Sequence, residues 1–178
     1  MCSNNKMNKK MNVAYIALGG NLSNPETTFC QAVAEMRRSE IEIIGVSSLW
    51  HSPAWPPELG HPDYVNAALK VETSLTAKNL LSRLHALEAL LGRKRSVLNA
   101  PRALDLDIID FAGEVEVNSP ILPHPRAHLR AFVLLPIWEI ESTWTHPTLH
   151  KTSVELLSEL PSEDVLDHAV IKRHWLDS

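Results

Sequence analysis

The chain has 178 residues, of which 44% are hydrophobic, and this suits one compact domain that buries roughly 70% of the surface its unfolded chain exposes. Its 17 Lys and Arg residues against 21 Asp and Glu residues give a net charge of -4, so no overall positive field attracts nucleic acid or an anionic membrane. The 2 cysteines exclude a disulfide framework, and no apolar run approaches the roughly 18 residues of a transmembrane helix. We therefore expect a cytoplasmic protein with no nucleic-acid or membrane partner.

The first part of the chain alternates between strand-like and helix-like segments. The polar residues 1–11 predict a disordered leader, and the apolar run 13–18 predicts a buried strand. Residues 23–38 combine a capping residue, an early proline and apolar residues at helical spacing, which predict a helix. Residues 40–49 are rich in β-branched side chains and predict a second strand.

A long loop separates this strand from the next one. Residues 51–63 contain four prolines, which exclude regular structure, and long loops in compact domains are often functional. Polar and apolar residues alternate cleanly over 64–73, which predicts a third strand with one buried face. Leucines at helical spacing over 80–91 predict a second helix that ends at Gly92.

The order of these elements indicates the fold. Residues 102–109 predict a fourth strand, and 115–117 a short edge strand. The order strand, helix, strand, strand, helix, strand is typical of the α+β class and of the ferredoxin-like split βαβ fold. In this fold an antiparallel sheet has its helices packed on one face, so we expect the active site at the other, free face. We also expect a single domain over 12–160 and a C-terminal tail over 161–178.

Two carboxylates in the fourth strand suggest metal chemistry. Asp105 and Asp107 point to one face of a strand, whereas the apolar residues beside them point to the other. With Cα atoms roughly 6.6 to 6.8 Å apart, the two groups can share one hard cation or a pair, and oxygen ligands of this kind suit Mg²⁺. A D-x-D pattern alone is weak evidence for a metal, because it is more typical of a solvated strand face.

Basic residues upstream of the aspartates strengthen the metal hypothesis. Arg93, Lys94, Arg95 and Arg102 occur with no acid among them. Cations beside two metal-ligating carboxylates are expected for a nucleotide polyphosphate, although a basic loop can also serve solubility alone. The sequence contains neither G-x-x-x-x-G-K-[ST] nor G-x-G-x-x-G, so a nucleotide would be held by side chains and metal rather than by a glycine-rich loop.

A second group of residues suggests an organic ligand. Trp55, Tyr64, Asn66 and Phe132 combine aromatic faces with one amide, which suits a flat heterocycle that is stacked and recognised along its edge. Each aromatic residue taken singly is more typical of a core.

Histidines at i, i+4 spacing raise the possibility of zinc. The pairs are His124 with His128 and His146 with His150. A proline follows the first member of each pair and disfavours a helix there, so we favour surface or phosphate-contacting histidines over a zinc site.

The run N-A-P-R-A-L-D-L-D-I-I at residues 99–109 resembles the signature of the 6-hydroxymethyl-7,8-dihydropterin pyrophosphokinase family. Further resemblance extends in order over residues 12–140, in the segments AYIALGGNL, SPAW, PDYVNAA, EALLGRKR and PHPRAHLRAFVLLP. The resemblance implies that pyrophosphate is transferred from ATP, the co-substrate, to the hydroxymethyl group of a reduced pterin, with two Mg²⁺ ions. AMP and the pterin diphosphate are the implied products.

The resemblance also implies roles for individual residues. It places the metal ions on Asp105 and Asp107, and catalytic roles on Arg93 and Arg102. The residues that it implies for ATP binding are Arg95, Ile108, His124 and Arg130. Those implied for pterin binding are Ser52, Trp55, Tyr64, Asn66 and Phe132. Glu88 matches an acid of the second helix whose role the resemblance leaves open.

Other functions compete with this hypothesis. A ferredoxin-like module can bind pterin or nucleotide without turnover, or bind RNA on its sheet face, although the acidic balance argues against RNA. A metal-dependent phosphohydrolase would release phosphate without any pterin. We expect a monomeric enzyme with small-molecule substrates, in which formation of AMP distinguishes among these alternatives.

Overall fold

The computed structural model describes residues 10–54, 58, 60–93 and 101–176. Its strands are β1 (Asn12–Gly20), β2 (Ile41–Val46), β3 (Leu49–Ser52), β4 (Tyr64–Thr73), β5 (Asp105–Phe111) and β6 (Ala169–Lys172). Its helices are α1 (Pro25–Arg37), α2 (Ala77–Leu90), α3 (Ala131–Ile140), α4 (Ser153–Ser158) and α5 (Ser162–Leu166), with a 3-10 turn at Ala127–Leu129.

The strands form one antiparallel sheet in the order β5-β1-β4-β3-β6, and β2 also pairs with β4. The predicted α+β, ferredoxin-like arrangement is confirmed. The second predicted strand differs from the structure, because it is divided into β2 and β3 at Ser47 and Ser48. The Ser47 hydroxyl accepts the Ala68 N–H at 2.9 Å, so a side chain takes the place of a backbone partner at the break.

Helices α1 and α2 pack on one face of the sheet and enclose a first core. Alternate β1 residues face this core, which also contains apolar residues of α1 such as Phe29 and of α2 such as Leu84. Asn24 caps α1, since its side chain accepts the Thr27 N–H at 3.2 Å.

The opposite face of the sheet is only partly free, which corrects our expectation of an uncovered face. Helix α3 packs there through Val133, Leu134 and Ile137, and together with Tyr15 and Ala68 these side chains form a second core. The sequence did not predict α3, because Pro136 lies inside it. The open part of this face therefore lies near the Gly19–Gly20 end of β1.

The residues beyond Pro161 complete the sheet. Strand β6 pairs with β3, and Trp175 is fully buried in the first core. The Trp175 ring N–H donates to the Ser47 carbonyl at 2.8 Å, which anchors the C-terminal segment at the break between β2 and β3.

Two smaller features complete the description. The predicted edge strand at 115–117 is reduced to one bridge between Glu116 and Leu122. Among the described residues, no helix is both long and apolar enough to span a bilayer.

Candidate active site

Polar side chains from three strands meet around Gly19. In register, Gly19 of β1 lies opposite Asn66 of β4 on one side and Asp105 of β5 on the other. A Cβ atom added at Gly19 would lie 3.4 Å from the Asn66 Oδ1 atom and 3.9 Å from the Asp105 Cβ atom. The amide and the carboxylate therefore lie on the same face of the sheet, and glycine leaves the surface between them open.

Asp105 lies between two arginines. Its Oδ1 atom is 2.6 Å from the Arg93 Nη1 atom, and its Oδ2 atom is 2.7 Å from the Arg102 Nη1 atom. Arg93 forms a second ion pair with Glu88, a buried residue of α2. The Glu88 Oε1 atom also accepts the Leu106 N–H at 2.8 Å, which fixes α2 and Arg93 to β5. Glu88 thus fixes the position of the Arg93 side chain relative to β5.

The second aspartate occupies a different electrostatic environment. Burial raises the pKa of the Asp107 carboxyl, and the neighbouring Asp105 charge raises it further, whereas His124, Arg130 and Arg93 act in the opposite direction. A cation bound at this position would favour the ionised form of Asp107 and remove its repulsion from Asp105.

His124 and Arg130 lie beside β5. The backbone N–H of His124 donates to the Ile109 carbonyl at 2.8 Å, which places this histidine at the edge of β5. Burial lowers the pKa of His124, and the Asp107 charge opposes this change. Burial also lowers the pKa of Arg130. The two side chains share the field of the aspartates, as groups that contact phosphate would.

The structure does not place the other two residues predicted for ATP binding beside the aspartates. Ile108 is buried in the first core, on the face of β5 opposite both aspartates, so its contact with adenine stays a prediction. Arg95 lies outside the described residues.

Three of the residues predicted for pterin binding lie close together on β3 and β4. Asn66 is buried, and its amide donates to the Ser52 hydroxyl at 2.7 Å. Tyr64 is the register partner of Ser52. Trp55, which belongs to the loop between these strands, lies outside the described residues.

Phe132 is placed by α3, and its ring has two described neighbours. The Arg130 guanidinium carbon is 5.4 Å from the ring centroid. The His168 ring stacks on Phe132 with centroids 6.5 Å apart and an angle of 19° between planes. Our sequence analysis missed His168, since nothing in the sequence connects the residue before β6 with an aromatic residue of α3.

The donor set at the aspartates fits magnesium. Within the part of the chain that the structure describes, no group of three or more His, Cys, Asp or Glu side chains is arranged to hold a metal. Magnesium is commonly bound through one or two carboxylates together with water and substrate phosphates. Asp105 and Asp107 satisfy this pattern.

Comparison with known proteins identifies the family of the chain. The model of the family described as 7,8-dihydro-6-hydroxymethylpterin-pyrophosphokinase (HPPK) matches residues 15–142. The chain belongs to this family. A 2-amino-4-hydroxy-6-hydroxymethyldihydropteridine pyrophosphokinase of Haemophilus influenzae is 36% identical over 164 residues, which are 91% of this chain and 98% of that protein. The protein of the same name from Bacillus subtilis is 40% identical over 134 residues, or 72% of this chain and 78% of that one.

The chain is also similar to parts of longer proteins. The folic acid synthesis protein fol1 of Pneumocystis carinii is 36% identical over 88% of this chain, but the chain spans only 20% of its length. The structure of wild-type Plasmodium falciparum HPPK-DHPS with pteroate has a TM-score of 0.66 at 14% identity, covering 84% of this chain and 42% of that one. This structural likeness confirms the fold of the HPPK family.

Proposed function

We propose that the protein transfers pyrophosphate from ATP to the hydroxymethyl group of 6-hydroxymethyl-7,8-dihydropterin, giving AMP and the pterin diphosphate. The observation that carries the proposal is the cross-strand arrangement in which Gly19 separates Asn66 from Asp105. It places a buried amide suited to a heterocycle next to a carboxylate held by two arginines. Family membership supplies the reaction class.

The charged side chains of the site indicate where the triphosphate of ATP would bind. We assign two magnesium ions to Asp105 and Asp107, where magnesium would neutralise and orient the triphosphate. His124 and Arg130 would contact phosphate oxygens beside β5. Arg93, which Glu88 orients, would stabilise charge on the transferred group together with Arg102.

The hydrogen-bonding and aromatic side chains indicate where the pterin would bind. Asn66 would bind the pterin edge, with Ser52 fixing the orientation of its amide, and the ring would stack between Tyr64 and Phe132. The hydroxymethyl oxygen then attacks the β-phosphorus in line, the bond from this phosphorus to the AMP oxygen breaks, and the hydroxyl proton is released to solvent. Positioning and electrostatics dominate such a transfer, so the protein requires little covalent chemistry of its own.

The test is product formation by the purified protein with ATP, magnesium and the hydroxymethyl dihydropterin. We expect AMP and pterin diphosphate in equal amounts, and Asp107→Ala should abolish both while the fold survives. Survival is expected because burial already disfavours the Asp107 charge. Glu114→Ala, which removes an exposed acid shortly after β5, is the matched control and should leave turnover unchanged.

Each alternative gives a different result in the same assay. A binding module would retain ATP or pterin without forming AMP, and a phosphohydrolase would release phosphate in the absence of pterin. Turnover by Asp107→Ala equal to that of the unmodified protein would refute the metal assignment. A magnesium titration after removal of metal tests the metal dependence of the reaction. The monomeric state and the cytoplasmic location of the protein stay predictions.

A further inference from the structure

Asn21 connects two segments that belong to the two halves of the proposed site. It directly follows β1 and is buried, with 5% of its surface exposed. Its backbone N–H donates to the Arg102 carbonyl at 3.0 Å, and its side-chain Oδ1 atom accepts the Arg102 N–H at 2.9 Å. Its side-chain Nδ2 atom donates to the Pro62 carbonyl at 3.0 Å. One side chain thus holds two distant parts of the chain together.

Pro62, at one end of this connection, lies two residues before the start of β4. The next residue, Asp63, closes the base of the proline-rich loop, because its Oδ1 atom accepts the Ala54 N–H at 3.0 Å and its Oδ2 atom lies 2.9 Å from the His51 Nε2 atom. Tyr64, the proposed stacking residue, follows immediately. A shift of Pro62 would therefore move the pterin side of the site.

The other end of the connection fixes the backbone of Arg102. Both backbone polar groups of this residue bond to Asn21, while its guanidinium bonds to Asp105 at 2.7 Å. The chain then passes close to β1, since a Cβ atom added at Gly20 would lie only 2.7 Å from the Ala103 carbonyl oxygen. The position of Arg102 relative to the sheet thus depends on the contacts that follow β1.

We propose that Asn21 is a positioning residue that fixes the pterin-binding segment relative to Arg102. Asn21 is not among the residues proposed to contact a substrate, and the inference rests on the function proposed above. Transfer between two bound substrates depends steeply on their relative placement, so a residue that sets this placement affects the rate without taking part in the chemistry. The Asn21 amide accepts from the Arg102 backbone N–H through its oxygen and donates to the Pro62 carbonyl through its nitrogen, so it serves both partners at once.

The isosteric variant Asn21→Asp separates the two connections. A carboxylate still accepts the Arg102 N–H, but it has no donor for the Pro62 carbonyl. We expect the KM for the pterin to rise about tenfold, the order of magnitude of one lost hydrogen bond, while the KM for ATP changes less than about twofold. In Asn21→Leu both side-chain bonds are lost, so we expect kcat to fall about tenfold or more as well.

Asn12→Asp is the matched control. Asn12 lies at the opposite end of β1, and its amide likewise donates to a backbone carbonyl, that of Leu75, at 3.3 Å. This variant should lower the melting temperature without changing either KM. If Asn21 serves stability alone, Asn21→Asp will behave in the same way, with both KM values and kcat within about twofold of the unmodified protein, and the inference is then wrong.

Two other outcomes need their own tests: a variant that does not fold, and an unmodified protein that forms no AMP. If Asn21→Asp does not fold, Asn21→Ser replaces it, since a hydroxyl is too short to bond to Arg102 and Pro62 together, and the same rise in the KM for pterin is expected. An unchanged KM in that variant overturns the inference. If the unmodified protein forms no AMP, the proposed function fails, and titration with the pterin then tests the inference separately. Weaker pterin binding by Asn21→Asp than by the unmodified protein supports the inference, and equal binding overturns it.

Discussion

Replacing Trp175 by alanine tests whether the C-terminal segment is an integral part of the fold. The indole is fully buried, lies edge-on to Phe29 with ring centroids 6.1 Å apart, and donates to the Ser47 carbonyl at 2.8 Å. Truncation of such a side chain costs about 3–5 kcal/mol. Loss of the hydrogen bond adds about 1 kcal/mol.

These values represent a large fraction of the roughly 5–15 kcal/mol that stabilises a typical domain. In a chain of this size each kcal/mol shifts the melting temperature by roughly 2–4 °C, so Trp175→Ala should melt about 8–24 °C lower. Trp175→Phe keeps the aromatic packing but loses the ring N–H, and we expect it to lose only about 1–3 kcal/mol.

Calorimetry and urea unfolding measure both effects. The control is Trp138→Ala on α3, where 41% of the tryptophan surface is exposed and the expected change in unfolding free energy is small. If Trp175→Ala melts within about 2 °C of the unmodified protein, the burial of this residue does not contribute to stability and our reasoning fails.

Three further predictions concern a close contact, a titrating group and a ring. Gly20→Ala should lower the unfolding free energy by about 1–3 kcal/mol in urea, because the new Cβ atom would lie 2.7 Å from the Ala103 carbonyl oxygen. Burial lowers the pKa of His146 below its ordinary value of 6.5, so the fold should lose stability as the pH falls from above 6.5 through that lowered pKa. His146→Gln should flatten part of this slope in urea titrations from about pH 8 to about pH 5. His168→Ala should raise the KM for pterin about two- to tenfold by removing the ring stacked on Phe132, and His168→Phe should restore it.

The sequence predicted best those elements whose signals are local. Strand β4 has the bounds Tyr64–Thr73 that its alternating pattern indicated, because one face is buried along most of its length. Helix α2 begins after Thr76, whose hydroxyl accepts the Asn79 N–H at 3.3 Å, and Gly92 after its end has a φ of 90°. Each of these features depends on neighbours a few residues away.

Elements that depend on distant partners were not predicted. Strand β6 has only four residues, and none of them is fully buried, so its pairing with β3 gives no periodic signal. Helix α3 contains Pro136, which by itself argues against a helix. Pairing with β3 stabilises β6, and packing against the sheet stabilises α3. Neither contribution is visible in the local sequence.

In the site, too, features with a local sequence signal were predicted and features that depend on distant contacts were not. The shared orientation of Asp105 and Asp107 follows from the period of a strand, and both side chains are indeed only partly buried between buried neighbours. The attachment of Arg93 to Glu88, and of Glu88 to the Leu106 N–H, joins α2 to β5 through tertiary contacts. No spacing rule in the sequence specifies these contacts.

The charges of the site explain why one set of residues can serve both the free and the substrate-bound protein. Asp105 bonds to Arg93 and Arg102, whereas burial and the Asp105 charge leave Asp107 in the less favourable environment for an anion. In the function proposed above, a magnesium–nucleotide complex would bring positive charge for the carboxylates and phosphate oxygens for the arginines. Binding would then exchange ion pairs without leaving a buried charge unpaired, which is the costly event in such a site. Metal-free ATP would supply only half of this exchange, since it would compete for the arginines and leave both aspartates without partners.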